Sequence, residues 1–353
     1  MKYYWDSNNL RQDVKLLEKM FEEEKDIRKR EELLYYIAEA KSLVLEEEAP
    51  TVEEDSDYFN AMSNLVPLFE PYYSYIDEYR RTLDKYIDEM IVDEPSKRKL
   101  YLKKDELLEL VAEFYKSVGG YLYPHFDKLF KNRHNSIRFQ REGLEYATTI
   151  IVPGLNKPYM TVESPKPTNY RNTLSMLVHE LGHGISAQIC PERYLRDDSF
   201  LKEIETTFLE FVSNDFFAKE LNDDTFYEDE LERLVGGHSA AEDILLSKRV
   251  VDLRYELGNP SKEKMLKIID DAILKSTIET KGELGLDEDI RYLFSYIIAI
   301  ELYEIYLKDK KAALEILKEI IIRKDNETEI QNVLRLVTPN KSLIKFKNHM
   351  LKK

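Results

Sequence analysis

Residues that break regular structure are scarce in this chain. Its 353 residues include 11 glycines and 12 prolines, about half of their usual share in soluble proteins. Charged residues make up 34% of the sequence and hydrophobic residues 43%, and the two classes recur at helical spacing along most of the chain. The sequence therefore predicts a folded, mainly α-helical protein. It argues against a sandwich, a barrel or a propeller, which need many turns.

The charge balance and the single cysteine exclude several kinds of partner and cofactor. The chain has 68 acidic and 52 basic side chains, a formal net charge of −16, which disfavours electrostatic binding to nucleic acid or to anionic membranes. Cys190 has no second cysteine with which to form an intrachain disulfide, and it argues against a cysteine-based zinc site. The first residues, MKYYWDSNNL, resemble no signal peptide, and no apolar run is long enough to span a bilayer. We therefore expect a cytoplasmic protein with no nucleic-acid or membrane partner.

The hydrophobic pattern of the sequence changes from helical to strand-like and back along the chain. Helical patterns cover about 8–45, 58–92 and 96–117, and an acidic segment at 46–57 interrupts them. Between 136 and 164, β-branched and aromatic runs broken by proline and glycine predict two or three short strands. Helical patterns then return, over 170–217 and 225–353. We predict an N-terminal helical lobe at 1–135 and a second region at 136–353.

One segment carries the residues of a metal site. Residues 170–190 read YRNTLSMLVHELGHGISAQIC, and their apolar stripe predicts an amphipathic helix. His179 and His183 are one turn apart, so both imidazoles can bind one metal ion, while Glu180, about 100° further round the helix, can face a water on that ion. This HExxH arrangement predicts one bound zinc ion. The remaining histidines lack a partner at ligand spacing, and we expect structural or surface roles for them: His125, His134, His238 and His349.

A zinc site of this type needs a third protein ligand. The predicted helix LKEIETTFLEFVSNDFF (201–217) offers Glu203 and Glu205. Because they are two residues apart, they point to different sides of the helix and only one can serve. The apolar stripe slightly favours Glu205. Glu192, in a loop that contains proline, is a weaker third candidate.

Four segments resemble the thimet oligopeptidase and oligoendopeptidase F family of zinc metallopeptidases, of which this chain looks like a short member. HELGH is the first. KEIETTFLE is similar to the family's Glu-Ile-Ala-Ser-Thr-x-x-Glu segment, and in that register Glu203 is the third zinc ligand. KPYMTV (157–162) resembles the strand that holds an extended peptide by backbone pairing. This likeness implies substrate contacts along one strand: Pro158, Tyr159, Met160 and Thr161.

The fourth segment, DEDIRYLFSYIIAIELYEIYLKD (287–309), is similar to the tyrosine-rich helix that lines the family's cleft. The likeness implies that Tyr296 and Tyr292, which are four residues apart, stabilise the oxyanion of the tetrahedral intermediate. The resemblance covers roughly 140–353, and makes 136–353 the zinc peptidase catalytic region. It implies a zincin-like, neurolysin-type architecture, in which two helical lobes flank a cleft and a small β-sheet lies beside the HExxH helix.

The activity that the resemblance implies is zinc-dependent hydrolysis of internal peptide bonds in oligopeptides, with Glu180 as general base. Three alternatives stay open at this point. The same site could serve a dedicated precursor-processing peptidase or an aminopeptidase, and the fold could belong to a catalytically silent peptide-binding protein. The sequence indicates an oligopeptide as the substrate and no obligate protein partner.

Overall fold

The structure is a computed structural model. It describes residues 10–25, 29–30, 33, 36–37, 40, 69–91, 99–131, 137–140, 148–151, 158–163, 166, 170–190, 202–280, 286–322 and 329–351. The predicted acidic break at 46–57 and the predicted boundary at 135–136 lie outside these residues.

Within the described ranges the chain is mainly helical and has one small sheet, so the predicted fold class is confirmed in these respects. The helices are α1 (Leu10–Glu23), α2 (Glu70–Leu83), α3 (Ile87–Met90), α4 (Lys104–Val118), α5 (Leu122–Lys131), α6 (Tyr170–Ile189), α7 (Glu203–Leu221), α8 (Thr225–Glu256), α9 (Lys262–Ile268), α10 (Ala272–Thr280), α11 (Leu286–Tyr306), α12 (Lys310–Ile321), α13 (Glu329–Leu336) and α14 (Leu343–Leu351). The strands are β1 (Ile137–Gln140), β2 (Thr148–Ile151) and β3 (Pro158–Glu163). No helix of the described ranges combines the length and the apolar character needed to cross a membrane.

The chain divides into two compact units, each assembled from separate stretches of sequence. The first comprises Met1–Pro50, Lys97–Ser199 and Ile321–Arg323, and the second comprises Thr51–Ser96, Phe200–Ile320 and Lys324–Lys353. These units do not follow the predicted division into 1–135 and 136–353, because helices from both sides of that boundary pack into each unit.

In the first unit, the sheet and helices α4 and α5 pack around α6. Strand β3 is the central strand. It pairs in parallel with β1, with Ile137 opposite Met160, and antiparallel with β2, with Thr149 opposite Met160 on the other side. Met160 and Val162 are buried. A short, largely apolar strand at the centre of the sheet is the expected result of burial on both faces.

In the second unit, α7 packs closely against α11, and the 32-residue helix α8 packs against α2, α7, α11 and α14. Nearly every side chain of α7 from Glu203 to Ala218 is buried. A helix that is buried on all sides carries little amphipathic signal. This explains why the stripe of residues 201–217 could not by itself identify which glutamate faces a site.

Two adjacent glycines of α8 differ in how closely α2 approaches them. A Cβ at Gly237 would lie 2.7 Å from the hydroxyl oxygen of the fully buried Tyr79, whereas a Cβ at Gly236 would meet no atom within 4 Å. We expect Gly237→Ala to destabilise the protein by about 1–3 kcal/mol. Gly236→Ala should stabilise it by up to about 1 kcal/mol, because alanine favours a helix. Urea unfolding of both variants measures this, and shifts of the same sign would contradict the close approach.

Candidate metal centre

The two motif histidines lie on one face of α6, as the spacing predicts. Their Nε2 atoms are 3.1 Å apart and their ring planes are inclined at 83°. Two ligands at 2.0–2.1 Å from a tetrahedral zinc ion are separated by about 3.3 Å. His183 is buried and His179 is half-buried. The pair therefore already has nearly the spacing that a shared zinc ion requires.

The motif glutamate is held by a residue that the sequence analysis did not identify. Glu180 is buried, and its carboxylate accepts a hydrogen bond from the hydroxyl of Thr149 on β2. The same hydroxyl oxygen is 3.1 Å from the backbone carbonyl oxygen of Glu180. In the sequence, Thr149 belongs to a run that predicts a strand, and no motif links it to Glu180. The contact exists because β2 packs against α6.

A buried tyrosine fixes α6 immediately before the first histidine. The Tyr115 hydroxyl of α4 donates a hydrogen bond of 2.9 Å to the carbonyl oxygen of Val178, and the Tyr115 ring stacks on Phe126 of α5 at 4.4 Å between centroids. Burial raises the pKa of Tyr115 well above its ordinary value, so the phenol stays a hydrogen-bond donor. This contact ties the turn that carries His179 to α4 and α5.

Two of the predicted substrate-contact residues of β3 have strand neighbours on both sides. Met160 and Thr161 have strand neighbours on both sides, because β1 and β2 flank β3. Tyr159 pairs with β2, and Pro158 is buried with its ring against Gly184, where an added Cβ would lie 3.1 Å from the ring. A peptide can add only to a strand with an unpaired edge. Of the described strands, β1 and β2 are the outer ones.

The candidate third ligands lie in the first turn of α7, in the second unit. Glu203 and Glu205 are both buried, at 5% and 1% relative exposure. The Thr206 hydroxyl oxygen lies 3.1 Å from the carbonyl oxygen of Glu203 and 3.4 Å from its carboxylate Oε2. Carboxylates near a helix N-terminus are also favoured by the helix dipole. The weaker candidate Glu192 lies outside the described residues.

Within the first unit, His179 and His183 place two imidazole nitrogens at nearly the spacing of ligands to one zinc ion. The family resemblance implies that Glu203, in the second unit, is the third ligand. Two imidazole nitrogens and one carboxylate form a donor set typical of catalytic zinc sites that keep a position open for water. The residues present therefore fit the expected metal.

The two candidate oxyanion tyrosines of α11 differ sharply in exposure. Tyr292 is 55% exposed, whereas Tyr296 is 7% exposed. The Tyr296 hydroxyl has no hydrogen-bond partner among the described atoms, and burial raises the pKa of this phenol well above its ordinary value. Its ring lies 5.4 Å from the guanidinium carbon of Arg233. Tyr296 therefore stays a protonated donor beside a buried group of charges.

That group, the Arg233 cluster, consists of Glu210, Asn214, Glu230 and Arg233. The Arg233 guanidinium binds both carboxylates, and Asn214 donates a hydrogen bond of 2.6 Å to Glu230. One guanidinium cannot neutralise two carboxylates, and Glu230 is fully buried. Burial accordingly raises the pKa of Glu230 to about 7 despite the nearby Arg233 charge, with repulsion from Glu210 acting in the same direction.

The raised pKa makes the stability of the protein depend on pH. Removing the proton of Glu230 costs more free energy in the folded chain than in the unfolded one. Proton binding at Glu230 therefore stabilises the folded state. We expect this stabilisation to be complete below about pH 4.5 and to be lost as the pH rises through about 7. Glu230→Gln, which resembles the protonated acid, should be more stable than the wild type by up to about 3 kcal/mol at pH 8 and about equal to it at pH 4.5. Urea unfolding at both pH values measures the difference, and a pH-independent difference would contradict the shift.

Comparison with known proteins shows which solved structures have a similar fold. Neither a scan against models of known protein families nor a search of curated proteins gives a match. Solved structures do match. A protein from Chlamydophila abortus described as a peptidase is 16% identical, with a TM-score of 0.55, and the match covers 91% of this chain and 60% of that one. The fold is similar to that of helical peptidases.

Two further structures agree with this similarity. PZ peptidase A, solved with an inhibitor, is 8% identical with a TM-score of 0.52, over 96% of this chain and 66% of that one. A protein described as an oligoendopeptidase F is 11% identical with a TM-score of 0.51, over 96% of this chain and 65% of that one. The chain thus spans about 60–66% of the length of these peptidases. At such low identity the likeness establishes the fold.

Proposed function

We propose that this protein is a zinc-dependent endopeptidase that hydrolyses internal peptide bonds of oligopeptides. The observation that carries the proposal is the arrangement on α6. There, two imidazole Nε2 atoms 3.1 Å apart adjoin a buried glutamate. The similarity of the fold to that of known peptidases also supports a peptidase activity.

We assign His179, His183 and Glu203 as the zinc ligands, with Glu205 as the alternative for the third. Glu203 is favoured because it aligns with the metal-ligand glutamate of the family's segment. When bound, zinc would polarise the scissile carbonyl and lower the pKa of a water molecule.

The protein's own acid–base chemistry resides in Glu180. Its carboxylate accepts the proton of the attacking water and then passes that proton to the leaving amine. The Thr149 hydroxyl, by hydrogen bonding to this carboxylate, restricts its orientation. Tyr296 and Tyr292 are the proposed donors to the oxyanion, because a protonated phenol can stabilise negative charge as it develops on the carbonyl oxygen.

The order of the strands indicates where an extended substrate could pair. Addition of a peptide strand needs an outer strand, and β2 is the outer strand that carries Thr149, the residue on the general base. We therefore place the peptide along the outer edge of β2. Backbone pairing of this kind tolerates many side chains, which suits a peptidase that acts on varied oligopeptides.

An internally quenched peptide with a blocked N-terminus tests the proposed activity. We expect the purified protein to cleave it between internal residues, to lose the activity on treatment with a chelator and to regain it when zinc is added. Cleavage of unblocked peptides alone would favour an aminopeptidase. No cleavage with bound zinc and retained peptide binding would favour a silent peptide-binding protein. A narrow cleavage profile on a peptide library would favour a dedicated processing enzyme.

Replacing the residue that orients Glu180 should lower the rate without removing the metal ligands. We expect Thr149→Val to reduce kcat about 10- to 100-fold, the loss that is typical when a hydrogen-bond partner in the outer shell of a metal site is removed. Thr149→Ser, which keeps the hydroxyl, serves as the matched control and should retain most of the activity. Steady-state kinetics of both variants measure the effect. Equal activity of the valine and serine variants would show that the hydrogen bond does not matter.

A further inference from the structure

We propose that the second unit contains a separate binding site for a divalent transition-metal ion, formed by Asp84, His238 and Glu242. One ligand atom from each of these side chains lies within 4.8 Å of the other two. Asp84 is the C-cap residue of α2, and the other two residues are one turn apart on α8. None of the three takes part in the proposed peptidase chemistry.

The distances suit a metal ion. The Nε2 atom of His238 is 2.7 Å from Oδ1 of Asp84, so the two ligand atoms already face each other across one shared proton. Ligands of a tetrahedral zinc ion are about 3.3 Å apart, so a small outward shift of either side chain would let an ion replace that proton. Glu242, one turn after His238, supplies the third ligand from the same face of α8. A water would complete the coordination.

A neighbouring arginine orients Asp84. The Arg80 guanidinium binds Oδ2 of Asp84 at 3.0 Å and leaves Oδ1 for His238. Such outer-shell hydrogen bonds are typical of carboxylates that bind metals.

The helices that carry these residues are also closely packed. Tyr79 of α2 is fully buried, and its hydroxyl donates a 3.3 Å hydrogen bond to the carbonyl oxygen of Leu234 on α8. Gly237, next to His238, allows this close approach, since a Cβ there would clash with the Tyr79 hydroxyl oxygen. The distance between Asp84 and His238 is therefore set by packed helices. His238 is 8% exposed and Glu242 is exposed, so an ion can enter from solvent on the Glu242 side.

Counting bound zinc in variants of the full chain tests this site. Metal-free protein is titrated with Zn²⁺, and bound metal is measured by equilibrium dialysis and elemental mass spectrometry. We expect His238→Ala to bind one zinc ion fewer than the wild type. Glu242→Gln should weaken the same binding event by about tenfold or more. Because Glu242 is exposed, its replacement leaves the Asp84–His238 hydrogen bond in place. Glu242→Gln therefore tests the metal site even when His238→Ala does not fold.

A matched control separates this site from general binding by histidines. His125 lies on α5 in the first unit, outside both metal groups, and His125→Ala should bind as much zinc as the wild type. Equal loss in His125→Ala and His238→Ala would overturn the proposal in favour of adventitious binding. Unchanged zinc number and affinity in both His238→Ala and Glu242→Gln would overturn it in favour of a purely structural ion pair. Because the readout is the ion lost on substitution at 238 or 242, it is independent of whether the peptidase site binds zinc.

Discussion

Glu180→Gln is expected to lower kcat for peptide cleavage by about 100- to 10,000-fold while the protein keeps its zinc. Glutamine has the same shape as glutamate and its amide oxygen can accept the hydrogen bond from Thr149, so the packing around α6 should survive. It cannot accept the proton of the attacking water. The expected result is therefore a folded, metal-loaded and nearly inactive protein, measured by kinetics on a quenched peptide and by metal analysis of the same sample.

The matched control for this variant is Glu232→Gln, because Glu232 is exposed on α8 and takes no part in the proposed site. It should have wild-type activity. Wild-type turnover of Glu180→Gln would remove Glu180 as the general base and, with it, the proposed mechanism. Loss of zinc together with activity in Glu180→Gln would instead show that Glu180 helps to hold the metal.

Glu203→Gln is expected to weaken zinc binding by more than about 100-fold, whereas Glu205→Gln should leave the zinc affinity nearly unchanged. Loss of an outer partner typically costs 10- to 100-fold in metal affinity, and loss of a direct carboxylate ligand should cost more. The two residues are well matched, because both are buried and both lie in the first turn of α7. Their replacement removes similar charge from the helix N-terminus, so a difference in zinc affinity reports on ligation.

Competition with a chelator of known affinity measures both dissociation constants. Unfolding of the metal-free variants serves as the stability control, since equal stability would show that any difference in zinc affinity comes from the site. The reverse order, with Glu205→Gln losing zinc and Glu203→Gln keeping it, would make Glu205 the third ligand. Retention of zinc by both variants would require a ligand outside α7.

Several features of the fold could be predicted because their signals are local. The stripe around HELGH predicts helix α6, and the β-branched runs before it predict the strands β1, β2 and β3. By contrast, the sequence does not indicate where β3 lies within the sheet. A run that is apolar on both faces shows that a strand is buried but not which strands lie beside it. The predicted substrate contacts from Pro158 to Thr161 come from the family resemblance, and only the structure shows that Met160 and Thr161 have strand neighbours on both sides.

Whether the sequence or the tertiary structure determines a contact depends on how far apart the two residues lie along the chain. The positions of His179, Glu180 and His183 relative to one another follow from the sequence, because backbone hydrogen bonds set the geometry of a helical turn wherever that helix lies. Thr149 meets Glu180 across 31 residues, and Asp84 meets His238 across 154. Such contacts arise when helices and strands pack against one another to bury apolar surface, and the spacing of residues along the chain carries no record of that packing.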